Sequence, residues 1–135
     1  MGRRRAILTL VQRRNAINKK AQKEVLTQLA KHGSKAKYAK HMRACQQNIN
    51  RWLTGLNYTD ATLEKLSPII YAERLQIKRE ILELCLLVRK QFSSDVTFAK
   101  AIGVSAYTAF LWTRGTQPND VSLDKMEAIK QQKNY

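Results

Sequence analysis

Acidic residues are scarce in this chain: 10 Asp and Glu stand against 25 Lys and Arg among 135 residues, a formal charge of +15 at pH 7. The shortage is uneven. Residues 1–60 hold 14 Lys and Arg against Glu24 and Asp60 alone, a balance of +12, whereas residues 61–135 hold 11 against 8, a balance of +3. Charge this lopsided bears on partners rather than on fold, and nucleic acid is the polyanion it suits. A basic face kept for solubility is the plainer reading. An anionic membrane suits the chain less well, because the basic half lacks a Trp/Phe/Leu-rich amphipathic face.

Cysteine is equally sparse. Cys45 and Cys85 are the only two, too few for a disulfide framework or a Cys-based metal site, and both read as ordinary buried or half-buried thiols. His32 and His41 have no Cys or carboxylate companions at ligand spacing. No Gly-rich phosphate loop or nucleophile elbow occurs. The expectation is a binding protein with no cofactor and no metal rather than an enzyme. Two Pro and five Gly leave no low-complexity tract. No apolar run nears the ~20 residues that span a membrane, and the first residues lack a signal-peptide core. A cytoplasmic protein, nucleoid-associated when bound, is expected. Its 44% apolar content and its length suit one domain, or two very small ones that share a core.

What the chain does contain is helical periodicity. In residues 97–115, Phe98, Ala99 and Ile102 fall on one helix face, since steps of 3 and 4 residues stack on a 3.6-residue period. Gly103 stands where a turn begins, and a positive φ there is cheap only for Gly. Ser105 caps a second helix whose inward positions are Ala109 and Trp112 and whose stop is Gly115. Two helices joined by a three- to four-residue turn containing Gly form a helix-turn-helix.

With Val104, these residues resemble the lambda repressor/Cro-like helix-turn-helix family, and Pro118, Leu123, Met126 and Ile129 extend the likeness through the next helix. The pattern occurs twice. Residues 35–55 align with 95–115 at a constant offset of 60: Tyr38 with Phe98, Ala39 with Ala99, Met42 with Ile102, Cys45 with Ser105, Ile49 with Ala109, Trp52 with Trp112 and Gly55 with Gly115. From 37 to 66 there are 7 identities in 30, including Lys65 with Lys125, which reads as an internal duplication. Arg43 stands in place of the turn Gly. A non-Gly residue is accommodated there either with a negative φ or with a left-handed cost absorbed elsewhere.

The expected architecture is all-α: two tandem lambda repressor-like units joined by an apolar helix, with about 8 to 10 helices in all. Residues 1–15 form a basic arm or short helix. Residues 16–72 form the first unit, with inward Ile17, Ala21, Val25 and Leu29 and Leu26 alongside, and Ser34 capping its motif. Residues 73–135 form the second. Ser67-Pro68 reads either as a cap with Pro at the first helical position or as a kink. Beyond it Leu75, Ile81, Leu82, Cys85, Leu86, Val88 and Phe92 make a strongly apolar helix, either one long element or two with a break near 72–74.

In this fold the second motif helix enters the major groove. In the first copy its outward residues are Gln46, Gln47, Asn48, Asn50 and Arg51. Gln and Asn can pair bidentately with adenine, and Arg with guanine. Arg3, Arg4, Arg5, Lys35, Lys37, Lys40, Arg43 and Thr54 are the expected phosphate and backbone contacts. The second copy has Ala106, Tyr107, Thr108, Phe110 and Leu111 at the matched positions. Tyr107, Thr108, Phe110, Leu111 and Arg114 there form either a protein interface, used for homodimer or partner contact, or a weaker DNA surface. The resemblance implies a sequence-specific double-stranded DNA-binding protein, a transcriptional regulator of phage or plasmid type. Two alternatives share its features: an accessory factor that bends DNA or assembles nucleoprotein for recombination, partition or conjugation, and a protein–protein regulator such as an antitoxin or anti-activator.

Overall fold

Between Leu10 and His32 the chain has neither Pro nor Gly to interrupt a helix, and Ile17, Ala21 and Val25 repeat every four residues along one face. The computed structural model, which describes residues 9–55 and 58–133, forms one helix over that whole stretch. Among the described residues it contains eight α-helices and no strand. They are α1 (Leu10–His32), α2 (Lys35–Met42), α3 (Gln46–Leu53), α4 (Asp60–Leu66), α5 (Pro68–Arg89), α6 (Asp95–Ile102), α7 (Ala106–Trp112) and α8 (Asp120–Lys133). A long helix, two short ones and a closing helix therefore occur twice, with α2 and α6, α3 and α7, and α4 and α8 each starting 60 residues apart.

The helix ends follow from local chemistry. Ser34 Oγ accepts the Lys37 N–H at 3.2 Å. Ser94 does the same for Thr97 at 3.2 Å, and the Thr97 hydroxyl accepts the Ser94 N–H in return, completing a capping box. Gly33, at φ 83°, supplies the left-handed residue that stops α1. Pro68 is the first residue of α5 and forces extended backbone on Ser67, at φ −160° and ψ 113°. Ser67 Oγ then accepts the Ile70 N–H at 3.3 Å. The cap-with-Pro reading of Ser67-Pro68 is the one adopted, and α5 runs through 72–74 unbroken.

Two compact units divide the described residues: one within Gln12–Leu75, and one from Gln76 onward that also takes in Leu10 and Val11. These bounds differ from the expected 16–72 and 73–135 for a physical reason. No helix breaker separates residue 15 from 16, so α1 begins at Leu10, whose N–H donates to Glu127 Oε1 of α8 at 2.9 Å.

Each unit buries one apolar core, and the two cores correspond at most positions at the offset of 60; the exceptions include buried Leu84 and Val88, matched by Glu24 and Gln28, and buried Ile70, matched by Lys130. Ile17 and Ile77, Val25 and Cys85, Tyr38 and Phe98, Met42 and Ile102, Trp52 and Trp112, Leu63 and Leu123, and Leu66 and Met126 are all buried. Ala21 and Ile49 become Ile81 and Ala109, so one position gains volume where the other loses it and the total is conserved. Leu26, expected beside the inward row, is instead 52% exposed. On α5 the buried residues are Ile70, Ile77, Ile81, Leu84, Cys85 and Val88, with Leu86 and Leu87 outside. Phe92 lies beyond the end of α5, in the turn, with its ring 5.7 Å from that of Phe98.

Candidate nucleic-acid interface

α2 and α3 are joined by three residues, Arg43, Ala44 and Cys45. The turn closes by backbone bonds from Arg43 N to Lys40 O at 3.2 Å and from Ala44 N to Ala39 O at 2.9 Å, the second being the 6→1 bond of a Schellman ending. The second unit closes its turn the same way, with Val104 N on Ala99 O at 3.0 Å. Both turns need a left-handed residue at this point. Gly103 supplies it at φ 92° and Arg43 at φ 53°, so Arg43 adopts the strained of the two conformations open to it. Lys65 Nζ donates to Met42 O at 3.2 Å, and Lys125 Nζ to Ile102 O at 2.9 Å. In each unit this lysine fastens the closing helix to the last carbonyl of the first motif helix, a role for the Lys65–Lys125 identity that sequence reasoning missed.

With Ile49 and Trp52 buried, the opposite face of α3 is left to solvent. Gln46, Gln47, Asn50 and Arg51 are exposed there and Asn48 is half-buried. Lys35, Lys37, Lys40 and Arg43, on α2 and the turn, are exposed as well. From residue 25 to residue 59 the sequence holds six Lys and Arg and no acid. Of the four acids elsewhere in this unit, three have cationic or polar partners within it: Glu73 takes Lys20 at 2.6 Å, Asp60 lies 3.6 Å from Arg74, and Glu24 accepts from Gln28 at 2.9 Å; the fourth, Glu64, is exposed on α4. The α2–α3 face is therefore a field of one sign. The unit as a whole has 13 Lys and Arg against 4 acids, a balance of +9, whereas residues 76–135 have 9 against 6, a balance of +3.

Thr54 differs from the other expected backbone contacts, because its hydroxyl donates to Arg51 O at 2.7 Å and so serves the end of α3. Arg3, Arg4 and Arg5 lie outside the described residues. Cys45, at the N-cap of α3, is exposed and makes no capping bond. Cys85 is buried, and burial pushes its thiol up to about 12. Beside the turn, Arg43, Asn48, Thr62 and Lys65 border a cleft of about 140 Å³ floored by Met42 and Trp52. Sequence reasoning did not find it, since its walls come from two segments brought together only by folding.

α7 presents a different surface. Tyr107 is 69% exposed, Phe110 lies at the surface, and the Arg114 guanidinium sits 4.9 Å from the Phe110 ring centroid. That cation–π contact covers part of what would otherwise be bare apolar area. Thr108 turns inward on the cap, its hydroxyl 2.8 Å from Ser105 Oγ. Leu111 is half-buried.

Among the described residues no group of three or more His, Cys, Asp or Glu is placed to hold a metal ion, and no helix is long and apolar enough to cross a membrane. No family model, curated protein or solved structure matches this chain.

Proposed function

We propose that the chain is a sequence-specific double-stranded DNA-binding protein built from two helix-turn-helix units, acting as a transcriptional regulator of phage or plasmid type. The observation that carries this reading is the outer face of α3, where Gln46, Gln47, Asn50 and Arg51 project from a face with no acidic residue. A merely solvated helix favours Glu and Lys, whereas amides and Arg are the groups that read base edges. Lys35, Lys37, Lys40 and Arg43 supply the sequence-independent attraction that fixes register on the duplex.

The second unit keeps the turn and core but replaces the reading residues with Tyr107, Phe110 and Leu111. In this proposal α7 contacts protein, either a second copy of the chain or another partner. Tyr and Arg are the side chains that anchor such surfaces, and here Tyr107 and Phe110 stand one helical turn apart on α7 while Arg114, in the turn that follows, lies over the Phe110 ring.

Selection of bound sites from a random duplex pool tests the reading. A defined motif is expected, and Gln47→Ala or Asn50→Ala costs ~1–3 kcal/mol on that motif with little change on random DNA. Equal losses on both remove the base-reading role from α3. No enriched motif, together with a stable heterocomplex, favours the protein–protein regulator.

A further inference from the structure

Arg43 holds a left-handed backbone at φ 53°, where the Cβ of an L residue crowds the following carbonyl. The same turn in the second unit uses Gly103 and avoids that cost. Nothing in the interior of the unit accounts for the arginine: its side chain is exposed, and among the described residues it has neither a hydrogen-bonding nor an ionic partner. Strain of this kind on a non-glycine residue concentrates where a side chain serves a ligand.

The cleft beside it indicates the ligand. Its volume of about 140 Å³ lies below the ~300–1,000 Å³ of small-molecule pockets and is enough for a single tetrahedral anion. Its polar lining residues are Arg43, Lys65, Thr62 and Asn48, with no carboxylate among them; the Thr62 hydroxyl also lies 3.0 Å from Thr59 Oγ1. Lys65 uses one ammonium proton on Met42 O and has two further donors. The second unit matches Lys65 with Lys125 and Thr62 with Ser122, but Gly103 offers no guanidinium.

We propose that this cleft is a phosphate site, closed by Arg43 and filled by a backbone phosphate of the duplex that α3 reads. The proposal rests on the DNA-binding reading above. It also accounts for the strained arginine: the turn gives up stability in one copy to gain an anion contact that the other copy lacks.

The test compares duplex binding by the full chain, Arg43→Gly and Arg43→Lys between 50 and 200 mM salt. The glycine variant relieves strain and so folds. The lysine variant keeps both strain and charge. Loss of one phosphate contact flattens the slope of log affinity against log salt by about 0.9, so the ratio of wild-type to Arg43→Gly affinity falls about 3.5-fold over this range. Arg43→Lys is expected to keep the wild-type slope. An unchanged slope for Arg43→Gly, with DNA still bound, overturns the cleft and leaves the DNA reading standing. In parallel, inorganic phosphate is titrated onto the DNA-free protein and amide resonances are followed. Shifts at Ala44, Asn48 and Thr62 that vanish in Arg43→Gly support the site without reference to DNA. A slope change without such shifts assigns it to duplex phosphate alone. If the chain binds no duplex, the DNA reading falls. The titration then decides the cleft: shifts retain it as a site for free phosphate, and their absence overturns it.

Discussion

Gln28 is the residue on which a polar network in the first unit depends, and replacing it should cost more than replacing any of its partners. The Tyr38 hydroxyl donates to Gln28 Oε1 at 2.9 Å, and Gln28 Nε2 donates to Leu66 O and to Glu24 Oε1, each at 2.9 Å. At the matching positions the second unit has Leu84, Val88 and Phe98, all buried and all apolar. The difference traces to Pro68. In an unbroken helix the Leu66 carbonyl would take the Ile70 N–H four residues on. Here Ser67-Pro68 breaks the helix and the Ile70 N–H goes to Ser67 Oγ, so Leu66 O depends on Gln28. α8 runs unbroken from Asp120 to Lys133, so the Met126 carbonyl falls inside its own ladder and Val88 has nothing to satisfy.

The magnitudes follow from which groups are stranded. Gln28→Val leaves the Tyr38 hydroxyl, on a residue that is 0% exposed, without its acceptor and Leu66 O without its donor. At ~1–3 kcal/mol for each stranded group the loss is about 2–4 kcal/mol, the lower part applying if water reaches the carbonyl. Tyr38→Phe alone removes one donor from a half-buried amide and costs about 1 kcal/mol. Combining the two removes the stranded hydroxyl, so the double variant should recover about 1–2 kcal/mol relative to the sum, a coupling that a double-mutant cycle resolves. Urea unfolding, with the single tryptophan of each unit, Trp52 or Trp112, as probe, measures all four corners. If Tyr38→Phe is as costly on the Gln28→Val background as on the wild type, the network is not what stabilises this corner, and the account of the two cores fails.

Other consequences are read more directly. Relief of the left-handed strain in Arg43→Gly should raise the stability of the first unit by about 1 kcal/mol, whereas Gly103→Ala should lower that of the second by ~1–2 kcal/mol; thermal unfolding followed separately at each unit shows whether the signs are opposite. Burial pushes the Tyr38 and Tyr58 hydroxyls from 10.0 up to about 12, and the Cys85 thiol from 9.0 up to about 12. The folded chain thus keeps protons that the unfolded chain has lost. Stability from these groups is complete below pH 9 and should fall as pH rises from 9–10 towards 12, and a flat unfolding midpoint between pH 9 and 11 would contradict that burial. Phe110→Asp should dissociate a complex formed through α7, read as a lower mass in sedimentation with duplex affinity per chain retained. Unchanged mass with lost DNA binding would make α7 a second DNA surface.

Much of the fold was legible in the sequence because its signals are short-range. Ser34, Gly33, Gly103 and Ser94 act within four residues of where they stand, and the apolar steps of α2, α3, α6 and α7 are set by helix geometry alone. The start of α1 was not legible, because Gln12, Arg13, Arg14 and Asn15 neither begin nor end a helix by themselves, and the N–H of Leu10 finds its acceptor, Glu127, more than a hundred residues away. Leu26 and Leu86 were misread for a related reason. They match each other at the offset of 60 and both lie at the surface, so hydrophobicity at a repeated position did not imply burial. The outer face of α3 could be placed once Ile49 and Trp52 were assigned inward. The cleft could not, since Thr62 and Lys65 reach it only through the packing of α4.

The recurrence of helices at an offset of 60 also gives the chain an internal reference for separating what the fold requires from what a ligand requires. Features present in both copies, such as the two tryptophans, the serine caps and the lysines on Met42 O and Ile102 O, are accounted for by the fold. Features in one copy need a local reason, and two kinds appear. Gln28 differs from Val88 because Pro68 leaves a carbonyl without its helical donor, a structural cause complete within the unit. Arg43 differs from Gly103 with no such cause, at a position where glycine is the less strained residue. The same comparison separates α3 from α7: with buried faces matched at Ile49 and Ala109 and at Trp52 and Trp112, the change from Gln46, Gln47, Asn50 and Arg51 to Ala106, Tyr107, Phe110 and Leu111 falls on surface the core does not constrain. Divergence concentrated on that outward face is what two copies serving different partners would produce, and exchanging the outward residues of α3 and α7 should therefore move function while leaving both units folded.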